Sequence, residues 1–106
     1  MVELSVVDRV VLLSILPESG TFVTMKVVRQ LRDALHFNEE EIAEFGLKQE
    51  GTAVTWETSR AVPIEIGPVA HKIIADALKA LDAEERVTDR EFSLYERFVA
   101  VEAAGG

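Results

Sequence analysis

The sequence has no cysteine in its 106 residues, so no disulfide crosslinks the chain, no thiol serves as a nucleophile and no thiolate is offered to zinc or an iron–sulfur cluster. Histidine is almost as scarce, with His36 and His71 the two imidazoles. Neither stands in an HxxxH or HxH setting, and a catalytic metal usually takes three protein ligands, so no metal site is expected. The glycines at 20, 46, 51 and 67 are isolated, which leaves no glycine-rich loop to cradle a phosphate. The serines at 5, 14, 19, 59 and 93 lack the GxSxG turn of a nucleophile elbow. Long hydrophobic runs are missing too, since none is longer than Val10 to Leu13, far too short to cross a bilayer. The first residues set Glu3 and Asp8 among apolar neighbours without a basic leader, so they do not read as a signal peptide and a cytoplasmic location is expected. No catalytic or cofactor-binding set emerges from these residues, and the expectation is a non-enzyme without a cofactor.

What is present is the material of a packed core. Hydrophobic residues make up 48% and charged residues 28%, which separates the chain from the low-hydropathy, high-charge composition of disorder. The length suits one globular domain over residues 1–102, with a flexible tail at 103–106. Nineteen acidic residues against eleven basic ones give a formal charge of −8, shared by both halves of the chain. Such a surface repels phosphate backbones and anionic membranes at long range, so neither nucleic acid nor membrane is an expected partner.

The hydrophobic periodicity predicts a predominantly helical α+β fold of about five helices with a β-hairpin. Ser5-Val6-Val7-Asp8 has the spacing of a capping box and opens a helix to Leu16 that is apolar on nearly every side, with Asp8, Arg9 and Ser14 the polar exceptions. Pro17 to Gly20 is a turn by composition. A second helix, predicted from Met25 to His36, puts Val27, Val28, Leu31, Ala34 and Leu35 on its apolar side. Asn38 and Glu41 form a second capping box, which starts a short helix that Gly46 ends, with Ile42 and Phe45 facing the core. From Leu47 to Glu57 the apolar period becomes alternating, with Leu47, Val54 and Trp56 inward and Glu50-Gly51 at the turn. Val62 to Ile66 alternates again as a third strand, which Pro63 confines to an edge. Gly67-Pro68 starts the fourth helix, whose stripe is Val69, Ala70, Ile73, Ile74, Ala77, Leu78 and Leu81. Thr88 to Glu91 is a third capping box, and the last helix then carries Phe92, Tyr95, Phe98, Val99 and Val101 on one face.

The order of three helices and a hairpin over residues 5–57 is similar to that of a winged helix-turn-helix, in which the third helix enters the major groove. Here that helix carries Glu39, Glu40, Glu41 and Glu44 and no cation, so carboxylates would meet phosphates head on and duplex binding is disfavoured. Lys26, Arg29 and Arg32 form a local basic stripe on the second helix, suited to an acidic partner that includes the glutamate cluster of another copy. Tyr95 and Phe98 on the terminal helix are aromatic anchors for a homodimer if they do not serve the core. The leading expectation is therefore a small acidic protein–protein interaction module that self-associates or docks to a protein partner. Two alternatives follow from the same charge layout: an acidic DNA mimic, such as a phage would encode, that inhibits a nucleic-acid-binding protein, and a divergent winged-helix transcriptional regulator.

Overall fold

The computed structural model describes residues 2–51 and 53–100. Val101 and the tail expected at 103–106 lie outside the described residues. The elements run β1 (Val2–Leu4), α1 (Val6–Ile15), α2 (Phe22–Leu35), α3 (Glu39–Phe45), β2 (Lys48–Glu50), β3 (Ala53–Thr55), β4 (Val62–Ile64), α4 (Pro68–Ala83) and α5 (Asp89–Tyr95), which continues as a π-helical turn, Glu96–Ala100. This is a predominantly helical α+β fold with two small antiparallel sheets.

Capping chemistry sets the helix starts where the sequence places it. At α1 the Ser5 hydroxyl accepts the Asp8 N–H at 3.3 Å and the Asp8 carboxylate accepts the Ser5 N–H at 3.0 Å. Asn38 and Glu41 exchange the same pair of bonds at 2.8 and 3.1 Å ahead of α3. Before α5, Glu91 accepts from the backbone N–H of Thr88 at 3.1 Å. The second helix begins three residues earlier than its apolar stripe predicts, at Phe22 rather than Met25, because the Thr21 hydroxyl accepts the Thr24 N–H at 3.1 Å. Phe22 and Val23 thereby become helical while pointing outward, which is why periodicity does not announce them.

α1 packs against β1, α2, α4 and α5, and α4 packs against α2, α5 and the π-helical turn. The core between them is built from Leu4, Val11, Leu12, Val28, Leu31, Leu35, Ile74, Leu78, Leu94 and Phe98. Residues of the predicted apolar faces are corrected here: Ala34 of α2, Ile42 of α3, Val54 of β3, Val69 at the start of α4 and Phe92 of α5 are exposed. Leu94 takes the buried position on α5 instead. Phe98 lies four residues beyond Leu94, the ordinary helical spacing, and the wider circuit of the π-helical turn brings Val99, five residues beyond Leu94, to the same interior.

The winged-helix-like arrangement is not confirmed. The edge strand exists as β4, but it pairs with β1 in the register Val2↔Ile64, Glu3↔Pro63 and Leu4↔Val62, and not with the hairpin. The hairpin β2–β3 is a separate two-stranded sheet, Lys48↔Thr55 to Glu50↔Ala53. Together with α3 it forms an arm beside the helical body. The arm's inner joint is Gly46, in the left-handed region at φ 65° and ψ 40°. An added Cβ there would also stand 3.1 Å from Cγ of Glu57. Gly46→Ala is expected to cost about 1–2 kcal/mol from the backbone conformation alone, read as a lowered urea midpoint.

Candidate functional site

The first helix is apolar on almost every side, so its one arginine has no solvated face to occupy. Arg9 is the largest fully buried side chain among the described residues, 2% exposed. Its Nε donates to the Leu35 carbonyl at 3.0 Å and its Nη2 to the His36 carbonyl at 2.6 Å, so a cation sits at the C-terminal, negative end of α2. The fork then grips Glu41 of α3, Nη1 to Oε2 at 2.6 Å and Nη2 to Oε1 at 3.3 Å. The Phe37 ring lies 4.1 Å from the guanidinium carbon and closes the network from one side. One side chain of α1 therefore ties the end of α2 to the start of α3. Among the described residues no buried side-chain nitrogen or oxygen lacks a hydrogen-bond partner.

The far end of α3 is fixed by the connector that follows the hairpin. The Phe45 carbonyl accepts the N–H groups of Glu57 at 2.7 Å and Thr58 at 3.1 Å, and the Thr58 hydroxyl donates to the Glu44 carbonyl at 3.0 Å. Arg60 grips the Glu44 carboxylate through Nε at 2.7 Å and Nη2 at 2.9 Å, in solvent. That hydrogen bond holds the Glu44 carboxyl below its ordinary value and raises Arg60.

Held at both ends, the arm leaves a cleft of about 500 Å³ against the body. α1 supplies Val10 and Leu13, and the α2–α3 connection supplies His36 and Phe37. Ile42, Leu47 and Val54 face them from the arm, and Ile42 and Val54 remain exposed. The polar lining is Ser14, Lys48, Gln49 and the His36 imidazole, with no carboxylate. A mostly apolar concavity with a few polar groups at its edge is the form a binding site takes. A wider cleft of about 1140 Å³ runs along α4, but its rim charges answer one another, Lys72 to Asp76 at 3.1 Å and Arg86 to Glu84 at 3.7 Å.

The residues singled out by the sequence are dispersed. Lys26 and Arg29 are exposed on α2, whereas Arg32 is half-buried and donates to the Pro17 carbonyl at 3.2 Å. Glu39 and Glu40 face solvent. Glu41 does not join them, because Arg9 draws it inward, and Glu44 is occupied by Arg60. Tyr95 is half-buried with its hydroxyl 3.4 Å from Asp82, and Phe98 is core, its ring centroid 5.1 Å from that of His71. The cleft residues Val10, Leu13 and Phe37 carry no label in the sequence. The available signal was a deficit: Ile42, Phe45, Leu47 and Val54 are too few to close an arm over a helix that is apolar all round.

The Arg9 hydrogen bond holds the Glu41 carboxyl below its ordinary value, outweighing the opposing effect of burial. A carboxyl lowered on folding contributes stability that is fully present above the unfolded value of about 4.3 and is lost as the pH falls through the folded one. Glu41→Gln is expected to be less stable than wild type at neutral pH, with the gap narrowing as acid protonates Glu41. Urea midpoints measured from about pH 7 down to about pH 2 check this, and a pH-independent gap would refute it.

Comparison with family models, with curated proteins and with solved structures finds no match to this chain. Among the described residues no three His, Cys, Asp or Glu side chains stand together so as to hold a metal ion, and no helix is long and apolar enough to cross a membrane.

Proposed function

We propose that the domain is a non-enzymatic protein–protein interaction module whose docking site is the cleft between α1 and the arm. The observation that carries this reading is the exposure of Ile42 and Val54 at a concave, mostly apolar cleft beside the buried Arg9–Glu41 network. Apolar surface that could have collapsed inward is kept in water by a rigid frame, and pre-organisation of this kind lowers the entropic cost of binding. The test is a photo-reactive benzoylphenylalanine placed at Val54, with a control at Lys79 on the exposed side of α4. Expected is one discrete covalent adduct from position 54 and none from 79. Equal yields from both positions would remove the reading.

A second reading, the acidic DNA mimic, is favoured by the exposure of Glu39, Glu40 and Glu50 on the same arm. Weighing against it, Glu41 is withdrawn from the strip and Glu44 is neutralised by Arg60. Under that reading Glu39→Lys with Glu40→Lys abolishes binding to a basic nucleic-acid-binding protein, and unchanged affinity dismisses it.

A further inference from the structure

Resting on the interaction-module reading, we propose that the occupant of the cleft is a second copy of this chain, which inserts Phe92 of its α5. Phe92 is 60% exposed, unusual for a phenylalanine whose helix otherwise buries Leu94 completely. Its neighbours on the same helical face are Asp89, three residues before, and Glu96, four after, and both are exposed. Arg90, two residues away, lies on the opposite side of the helix. The face is thus an aromatic anchor between two carboxylates. The cleft is its complement, an apolar floor of Val10, Leu13, Ile42 and Val54 edged by Lys48 and the His36 imidazole and free of carboxylates in its lining.

The complementarity is local and set against a global repulsion, because each copy carries a formal charge of −8. A lining without a carboxylate is therefore the part of an acidic molecule on which an acidic aromatic face is least opposed. Each copy carries both this anchor and this cleft, so the contact either closes two-fold or propagates head to tail.

Sedimentation velocity from about 5 µM to about 500 µM is expected to show association that rises with concentration. Phe92→Ser and Val54→Ser, both at exposed positions, should each abolish it while leaving the far-ultraviolet circular dichroism unchanged. An equimolar mixture of the two variants should associate again as a pair, because the intact Phe92 of the Val54→Ser chain meets the intact cleft of the Phe92→Ser chain. Lys48→Glu should weaken association about tenfold or more, and adding Glu96→Lys should recover most of the loss. A monomer across the whole range, persistent association of Phe92→Ser, or a mixture that stays monomeric would each overturn the proposal. If the wild type is monomeric and Val54 still gives a discrete adduct with a different protein, the proposal falls and the module reading stands. Absence of any specific adduct removes both.

Discussion

Replacing Arg9 by alanine is expected to lower folding stability by about 3–5 kcal/mol, the largest effect of any single polar substitution in this chain, because it leaves a carboxylate in the interior without its cation. The loss is compounded by the helix end. The buried Leu35 carbonyl and the partly buried His36 carbonyl would lose the donors that Arg9 now supplies at 3.0 and 2.6 Å. Arg9→Lys retains the charge but offers one ammonium where a planar fork spans three acceptors, so it should recover only part of the loss. The double replacement Arg9→Met with Glu41→Leu separates the two contributions: it removes the stranded charge but leaves the buried Leu35 carbonyl unpaired, at about 1–3 kcal/mol, while water can reach that of His36. Urea unfolding should order the variants as wild type, then the double and lysine replacements, then Arg9→Ala. Amide exchange should localise the damage, with protection lost first in α3 and the connection at 36–38 while α4 stays protected. An Arg9→Ala midpoint within about 0.5 kcal/mol of wild type would show that the network holds nothing.

This network also marks the boundary of what the residues disclose on their own. The capping boxes at Ser5, Asn38 and Thr88 and the left-handed glycine at 46 are local devices, whose partners lie within four residues and whose chemistry is legible wherever the spacing occurs. Arg9 reads locally as one polar interruption in an apolar helix, and Glu41 as a helix cap. Their pairing joins residues 32 apart and follows only from how α1 crosses the ends of α2 and α3. The same holds for Asp8, which completes a local box and also accepts from Arg97 at 2.8 Å, 89 residues away. β1 is three residues long, too short to show a period, and its partner β4 is about 60 positions further on. The cleft falls between the two cases. Its apolar residues are visible, but Val54, expected to face inward from the hairpin, stays exposed while Leu47 is half-buried, and whether the arm seals against α1 or stands off from it depends on the Arg9 bridge that no pattern reveals.

The aromatic stripe of the last helix resolves into two residues with opposite expected behaviour. Phe98 is 1% exposed and stacks near His71 of α4, so Phe98→Ala should leave a cavity in the main core and cost about 3–5 kcal/mol. Domains of this size are commonly stable by about 5–15 kcal/mol, so the variant should show a sharply lowered midpoint or be unfolded without denaturant. Phe92→Ser removes a ring that mostly faces water and should change the unfolding midpoint little. Steps of three string the two along one side of the helix in the sequence, whereas buried Leu94, two residues from Phe92, sets the inward face opposite it, and Phe98, four residues beyond Leu94, follows that face into the core. Thermal unfolding of Phe98→Ala and sedimentation of Phe92→Ser together separate the residue that holds the domain from the one assigned to its surface. Loss of stability in Phe92→Ser comparable to that in Phe98→Ala would return both rings to the core and take the anchor for self-association with it.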